Sequence, residues 1–366
     1  MLEVFDVFER FGREYFSNPK NKIMTSHRAA YHDILACRTG ELGGHEAYCD
    51  SCFHSEMTYC SCNNRSCPKC NSEAAEEWAD KRRNELLPVP YFHAVLTLPH
   101  QLNTLMYYNQ RILYNVLCRV AGASVLELLE ERKFVGGKGG LICVLHTWNR
   151  TLQYHPHVHL LIPGVAIDGD VLRYSRSSFL ISTRKLARTF KEKFLKEARK
   201  ALPNIVFGKK LEKLNWYTYI KDSENTPENV LQYLGRYIRR MAFTNSRLVS
   251  ITNNDVSFRY KSSGETKWQV MTLSAQEFIG RFLMHVLPKG FHKVRYYGFF
   301  SPRGKEKLKS HFIPDSIQVE VPEEDEKTAS DCIEYERRFT RNCVKCSKGK
   351  MYLGAFVPKK AVRAPP

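Results

Sequence analysis

LICVLHTWNRTLQYHPHVHLLIPGV, residues 141–165, consists of two apolar segments of strand length joined by the polar linker NRTLQY. Short apolar segments of this length, close together in sequence, favour β-strands. The stretch therefore predicts an antiparallel β-hairpin. Four of its residues are histidines. Histidine is a poor core residue, because its ring nitrogens need hydrogen-bond partners when they are buried.

The pairing of this hairpin determines which histidines meet. We assume that Trp148 lies opposite His155. His146 then lies opposite His157, and His159 follows on the same face, because side chains alternate along a strand. A shift of the register by one residue would remove this convergence. A single histidine on a strand is usually structural, but three that converge favour an open site for a divalent metal ion.

Composition and charge favour a nucleic-acid-binding protein. The 366 residues, of which 43% are hydrophobic, are enough for two or three domains. Lys and Arg total 56 against 38 acidic residues, which gives a net charge of +18 and suits a polyanionic partner such as DNA. The amino-terminal segment does not resemble a signal peptide, and no long uninterrupted apolar run predicts a membrane span. We therefore expect a cytoplasmic protein, associated with the nucleoid when it binds DNA.

Paired cysteines predict a structural zinc site. Seven of the twelve cysteines lie within residues 37–70, and a reducing cytoplasm favours metal ligands over disulfides. Two CxxC pairs, Cys49 with Cys52 and Cys67 with Cys70, are separated by fourteen residues. Four thiolates from two such pairs can surround one Zn²⁺ tetrahedrally. The alternative, four unrelated cysteines, rarely produces this spacing.

Other cysteines leave room for a second zinc ion. The nearby candidate ligands are Cys37, His45, Cys60 and Cys62, of which we name Cys37, His45 and Cys62 as the candidate set. A further CxxC pair, Cys343 and Cys346, follows Cys332 in the basic carboxyl-terminal segment. That pair could form another zinc knuckle, although the sequence shows no evident fourth ligand for it.

TPENVLQYLGRYIRRMAF, residues 226–243, predicts a helix that begins after the N-cap residue Thr226. Tyr233 and Tyr237 stand four residues apart and therefore share a face of this helix. Tyrosines at this spacing are more often core residues than nucleophiles. Beside a divalent metal, however, a tyrosine hydroxyl can attack a phosphodiester and form a phosphotyrosine with a free 3′ hydroxyl. The neighbouring residues that would hold phosphates are Arg236, Arg239 and Arg240.

The remaining segments predict an α+β protein with three regions. We expect a further strand at 91–98, helices near 101–131, 184–201 and 227–243 with one more in SEAAEEWADKRRNELL, strands within 250–273, and a helix capped by Ser274. The predicted regions are a cysteine-rich zinc-binding domain (1–85), a catalytic domain (86–300) and a charged tail (301–366). We expect the tail to pack poorly or to await a partner. Aromatic residues in WYTY (216–219) and RYYGFF (295–300) could stack on unpaired bases, although most are more easily explained as sheet core.

Several motifs together resemble one family. HPHVH (155–159) resembles the His-hydrophobic-His signature of the HUH single-strand nucleases, and YLGRY (233–237) resembles the paired tyrosines of their Y2 branch. Together with RTGELGGHEAYCDSC, NRSCPKC and FLMHVLPKGFHKVRYYG, these motifs make the chain similar to transposases of the IS91 family. The resemblance spans most of residues 30–300.

This resemblance implies a fold and an activity. The fold is α+β, with a central antiparallel sheet and helices in the nuclease domain, preceded by a small zinc-binding domain. The activity is rolling-circle transposition, in which a tyrosine cuts one DNA strand at an element end, remains linked to the 5′ phosphate and later transfers that end to a target. The catalytic cofactor would be Mg²⁺ or Mn²⁺. Because the chain has no GxxxxGK[ST] phosphate loop, strand separation would depend on host replication or helicase functions.

The resemblance also implies site residues. The family's histidine pair corresponds to His157 and His159, and its tyrosines correspond to Tyr233 and Tyr237. Hairpin geometry adds His146 as third metal ligand. Gln232 is the alternative for that place. Tyr237, between Arg236 and Arg239, is the slightly preferred first nucleophile.

Two other functions remain as alternatives. A plasmid-type replication initiator or relaxase would share the tyrosine chemistry. A DNA-binding regulator would depend on its zinc module, with structural histidines and no cleavage of DNA.

Overall fold

The structure is a computed structural model that describes residues 2–70, 87–176, 178–208, 210–222, 241–262, 265, 267–304 and 339–358. These residues form an α+β protein with antiparallel sheets, as predicted. They belong to two compact units. The cysteine-rich unit contains residues 8–70 and 339–358, and the central-sheet unit contains residues 2–7 and the described residues between 87 and 304.

The described residues contain seven α-helices and fourteen strands. The helices are α1 (Val4–Ser17), α2 (Thr25–Ala36), α3 (Asn103–Tyr108), α4 (Gln110–Glu130), α5 (Thr183–Ala201), α6 (Lys210–Lys213) and α7 (Ala275–Leu283). The first seven strands are β1 (Gly44–Cys49), β2 (Ser55–Tyr59), β3 (Tyr91–Thr97), β4 (Gly140–Trp148), β5 (Tyr154–Pro163), β6 (Val165–Asp168) and β7 (Val171–Tyr174). The other strands are β8 (Thr218–Asp222), β9 (Leu248–Ile251), β10 (Asp255–Tyr260), β11 (Gln269–Ser274), β12 (Val294–Gly298), β13 (Phe339–Asn342) and β14 (Lys350–Val357).

A five-stranded antiparallel sheet, in the order β12-β4-β5-β3-β8, forms the centre of the central-sheet unit. Alternate residues of β4, such as Leu141 and Cys143, belong to the large core that also contains α4 and α5. The intervening residues Ile142 and Val144 belong to a smaller cluster with Leu161. Since successive side chains point to opposite faces, the helices cover one face and the smaller cluster lies on the other.

The predicted β4–β5 hairpin is present, and its register is confirmed at the histidines. His146 lies opposite His157, and Val144 lies opposite His159. The assumed partner of Trp148 is wrong by one residue, because Trp148 lies opposite Tyr154 instead of His155. An irregularity between His146 and Trp148 shifts the register there. A β-bulge of this kind adds one residue to one strand, so the register of the pairs on its two sides differs by one residue.

Helix α4 is strongly apolar over most of its length. It is long and apolar enough to cross a membrane, but 67% of its most apolar stretch is buried inside the protein. Its buried side chains include Leu113, Leu117 and Val125, which belong to the large core of the central-sheet unit. Core packing therefore accounts for its composition.

The strands and the helix predicted after residue 249 are confirmed. Strands β9, β10 and β11 form a three-stranded antiparallel sheet. Helix α7 follows directly, and the Ser274 hydroxyl accepts a hydrogen bond from the backbone N–H of Glu277 at 3.2 Å, which caps the helix as predicted. The helices predicted within 72–87 and 226–243 fall almost entirely outside the described residues.

The cysteine-rich unit contains a four-stranded sheet in the order β13-β14-β1-β2. Strand β14 pairs with β1 from Gly44–Val357 to Cys49–Met351, so the described tail residues 339–358 supply half of the strands. We expect from the sequence that the tail packs poorly or awaits a partner. Poor packing is wrong for these residues, because β14 pairs with β1. No local pattern indicates this partner, because β1 lies about 300 residues earlier in the chain.

Candidate active site

Three histidines converge on the sheet face opposite the helices. His146 on β4 and His157 and His159 on β5 each place a ring nitrogen within 4.8 Å of the others. His157 Nε2 and His159 Nε2 are 3.1 Å apart. Two imidazole nitrogens bound to one metal at about 2.0–2.1 Å lie roughly 3 Å apart, so the spacing fits a shared ion. His146 is buried and the other two are half-buried, which leaves the site accessible from one side.

Hydrogen bonds fix the orientation of both β5 rings. The Nδ1–H of His157 donates to the carbonyl oxygen of His155 at 2.7 Å. His159 Nδ1 is hydrogen-bonded to Nε2 of His93 at 2.8 Å. In metal sites, a partner on one ring nitrogen selects the tautomer and directs the other nitrogen to the ion. Both rings therefore present Nε2 to the same point. His155 contributes its carbonyl and is not part of the histidine group.

His93 on β3 is the residue that sequence reasoning missed. Its ring stacks on His159 with centroids 5.1 Å apart and planes 4° from parallel. Burial, and then the charges of His157 and Lys221, lower the pKa of His93 to about 4, so the ring is neutral at neutral pH. A neutral ring can orient His159 without placing a positive charge beside a cation. The sequence does place a histidine in the predicted strand YFHAVLTL. That His93 meets His159, however, depends on which strand of the sheet lies beside this one, and the strand's own sequence does not determine that.

Replacement of His93 by alanine is expected to weaken Mn²⁺ binding by about 10- to 100-fold, because His159 loses its orienting partner. Isothermal titration of the purified protein with Mn²⁺ measures this. The matched control is His100→Ala, at an exposed histidine of the same unit. His93→Gln, whose side-chain carbonyl oxygen can accept the hydrogen bond from the Nδ1–H of His159, should recover part of the affinity. Unchanged affinity in His93→Ala would show that His93 only fills space.

The cysteines form two groups that differ from the predicted one. Cys67 and Cys70 lie with Cys37 and Cys62, and the four sulfur atoms are within 4.8 Å of one another. The predicted partners Cys49 and Cys52 lie elsewhere, with Cys343 and Cys346. The prediction of one site from the two amino-terminal pairs is therefore wrong. The cause is the pairing of β1 with β14, which brings the late CxxC pair to the turn after β1.

The first cysteine group, formed by Cys37, Cys62, Cys67 and Cys70, is built from a helix end and a turn. Cys37 directly follows α2 and is buried. Its sulfur lies 3.4 Å from that of Cys70, which lies 3.5 Å from that of Cys62. The predicted second set of Cys37, His45 and Cys62 is wrong as a separate site. Its two cysteines join Cys67 and Cys70, whereas His45 on β1 contacts the carbonyl oxygen of Gly354 at 3.3 Å and is outside both groups.

The predicted nucleophile helix lies outside the described residues, so Tyr233, Tyr237, Gln232 and the three arginines have no described position. The chain that follows it is described. Arg247 donates hydrogen bonds to the carbonyl oxygens of Ala242 and Arg150, at 3.1 and 2.9 Å. Arg150 lies in the β4–β5 linker, four residues after His146. The segment that leaves the tyrosine region is therefore attached beside the histidine hairpin.

Comparisons with known proteins agree with these motifs. Residues 7–98 match a family model described as "Transposase zinc-binding domain", of the IS91 type, and residues 140–307 match a Y2 model described as "Putative transposase". The chain is 36% identical to "Putative transposase y4qJ" of Sinorhizobium fredii, over 95% of this chain and 94% of the relative. The chain belongs to the IS91 family of transposases. Another relative is "Transposase for insertion sequence element IS801" of Pseudomonas savastanoi pv. phaseolicola, 28% identical over 74% of this chain and 69% of that protein.

The matched regions include most of the candidate residues of this IS91 family member. The zinc-binding match contains the complete first cysteine group, which supports zinc as a cofactor of the transposase. The Y2 match contains the histidine group and the segment YLGRY. Cys343 and Cys346 lie outside both matches. As a transposase, the protein has DNA as its partner.

Proposed function

We propose that this transposase nicks single-stranded DNA at the ends of an insertion element and transfers the cut strand to a target through a 5′-phosphotyrosine intermediate, in a rolling-circle type of transposition. The observation that supports this most strongly is the convergence of His146, His157 and His159, with the Nδ1 atoms of both β5 rings already hydrogen-bonded. A purely structural role would not require two rings to aim the same nitrogen at one accessible point.

The histidine group is suited to hold Mg²⁺ or Mn²⁺. His146, His157 and His159 provide three nitrogen ligands and leave one side for phosphate oxygens and water. When bound there, the ion supplies Lewis-acid polarisation of the scissile phosphodiester. His93 keeps His159 in position and stays neutral because of its burial.

The nucleophiles that we propose are Tyr237 and Tyr233. The hydroxyl oxygen of one tyrosine bonds to phosphorus, the bond from phosphorus to the 3′ oxygen breaks, and the released 3′ hydroxyl takes a proton. In transfer, a target 3′ hydroxyl attacks the phosphotyrosine and frees the tyrosine. Chain length supports this assignment, since Ala242 is the fifth residue after Tyr237 and the two Cα atoms are therefore at most about 18 Å apart. Arg236, Arg239 and Arg240 would hold the phosphates.

Exposed aromatic residues next to the sheet are suited to bind unpaired bases. Tyr217 and Tyr219, at the edge strand β8, are 77% and 56% exposed. The carbonyl oxygen of Tyr217 accepts a hydrogen bond from the backbone N–H of Thr97 at 3.1 Å, and Thr97 lies opposite His157. Tyr217 therefore lies two strands from the histidine group, and its ring can stack on a base of the bound strand. In contrast, Trp216, Phe299 and Phe300 are buried and structural.

We further propose that the first cysteine group holds a structural Zn²⁺, that host replication or helicase functions separate the DNA strands, and that the protein acts in the cytoplasm on the nucleoid. The relaxase and replication-initiator alternative shares the chemistry and is less favoured, because both relatives are named as transposases. The regulator alternative requires that no DNA be cut, so an assay for cleavage separates it from the transposase.

Tyrosine chemistry predicts a covalent protein–DNA adduct. Labelled single-stranded element ends are incubated with the protein and Mn²⁺ or Mg²⁺, and the products are separated on a denaturing gel. We expect an adduct with wild type, less with Tyr237→Phe or Tyr233→Phe, and none with the double variant, because phenylalanine lacks the attacking hydroxyl. Tyr174→Phe, at an exposed tyrosine of β7, is the matched control. Folded wild-type protein that binds this DNA without ever becoming linked to it would replace the nuclease proposal with the regulator.

A further inference from the structure

We propose that the transposase has a second structural zinc site, formed by Cys49 and Cys52 together with Cys343 and Cys346. The four sulfur atoms lie within 4.8 Å of one another. Two of the ligands precede the central-sheet strands in sequence and two follow them. Both family matches leave the late pair unassigned, since they end at residues 98 and 307.

The sulfur spacing fits a metal centre. Cys49 Sγ lies 3.8 Å from Cys346 Sγ, and Cys52 Sγ lies 3.8 Å from Cys343 Sγ. Four sulfurs placed tetrahedrally at about 2.3 Å from Zn²⁺ are about 3.8 Å apart. A disulfide requires about 2.05 Å, so none of these pairs is bonded. Both pairs have the CxxC spacing that zinc knuckles use.

Backbone donors surround the sulfur atoms. The N–H groups of Ser51 and Cys52 point at Cys49 Sγ, with nitrogen–sulfur distances of 3.4 and 3.5 Å. The N–H of Gly349 points at Cys346 Sγ at 3.3 Å. Such N–H groups stabilise a thiolate, the form in which cysteine binds zinc. In each CxxC pair, backbone N–H groups of the following turn therefore point at a cysteine sulfur atom.

Gly349 provides an independent indication that the two knuckles are built to meet. A Cβ atom at this position would collide with Cys49 Sγ and would lie 2.5 Å from the Cβ atom of Ser51. Only glycine lets the late knuckle approach the early one this closely. The approach is completed by the Lys350 N–H, which donates to the Asp50 carboxylate at 2.8 Å.

The hydrophobic core beside this site is small among the described residues. The hydrophobic cluster here consists of Ala47, Cys49, Cys343 and Met351, with two partly buried neighbours. Two of these four residues are proposed ligands. The outer strand β2 is mostly exposed. A segment with so small a core commonly depends on a metal for its fold. Zinc would therefore reinforce the backbone pairing that joins β14 to β1.

Metal counting tests this proposal on the full-length protein. To count thiolate-bound metal alone, all variants carry His157→Ala and His159→Ala. Metal analysis of protein purified with zinc should give two Zn²⁺ per chain in this background. Adding Cys343→Ser and Cys346→Ser should lower the count to one. Cys60→Ser, at a cysteine of the same unit outside both groups, should leave it at two.

A second measurement does not depend on cysteine variants that fold. Cadmium NMR of the otherwise unsubstituted protein should show two signals in the all-thiolate region, and Gly349→Ala should shift or remove one of them while the other stays. A single all-thiolate signal, or a count of one zinc that the late pair does not affect, would overturn the proposal. Neither result depends on DNA cleavage, so the fate of the nuclease proposal is decided separately.

Discussion

Replacing His157 and His159 with alanine should lower the rate of covalent adduct formation by at least about a hundredfold, because the scissile phosphate loses the polarisation that a bound ion supplies. The two rings direct their Nε2 atoms, 3.1 Å apart, at the same metal position. No single neighbouring side chain can replace both of these ligands. The rate is measured under single-turnover conditions with labelled single-stranded DNA and saturating Mn²⁺.

The matched control for this loss is His155→Ala. His155 belongs to the same HPHVH motif and is half-buried like the other two, but it contributes its backbone carbonyl, which alanine retains. We expect nearly wild-type adduct formation from it. If the double variant formed adduct as fast as His155→Ala, with the same melting temperature as wild type, the histidines would have no part in catalysis.

Replacing Cys62 and Cys67 with serine should unfold the cysteine-rich unit while the central sheet persists. A structural zinc site contributes about 10–16 kcal/mol to folding, which equals or exceeds the whole stability of a typical domain at about 5–15 kcal/mol. Hydrogen exchange measured by mass spectrometry resolves the two units. We expect peptides from residues 25–70 to lose protection and peptides from β3, β4 and β5 to keep it.

Cys60→Ser serves as the control here, because Cys60 lies between the ligands in sequence and outside both groups. It should keep the protection pattern of wild type. Full protection of residues 25–70 in the Cys62→Ser, Cys67→Ser variant would mean that packing alone holds the unit. Adding a chelator to wild type should reproduce the loss, which links the effect to metal and not to the substitutions.

The histidine hairpin could be predicted because its determinants are local. Period-two alternation assigns His157 and His159 to one face, and the short linker leaves few registers for β4. The error at Trp148 arises from a bulge, which adds one residue without leaving a signature in the hydrophobic pattern. The prediction survived that error only because the bulge lies beyond His146.

Other parts of the site depend on contacts between distant segments. His93 meets His159 because β3 lies beside β5, an order that alternation within each strand does not determine. The same limit produced the wrong cysteine set. Spacing predicts that Cys49 and Cys52 form one half of a metal site, but it favours the nearest second half, Cys67 and Cys70. The actual neighbours are set by the pairing of β1 with β14.

The division of the cysteine-rich unit between two distant parts of the chain has a consequence for protein synthesis. The first cysteine group is complete once residue 70 has left the ribosome, but Cys343 is made 291 residues after Cys52. At about 5–20 residues per second, that interval lasts roughly 15–60 s. A chain whose translation stops before residue 339 would already contain the histidine hairpin. The sheet of its cysteine-rich unit, however, would lack β13 and β14. The proposed second zinc site needs Cys343 and Cys346. Only transposase translated past Cys346 would therefore have a complete cysteine-rich unit with both zinc sites.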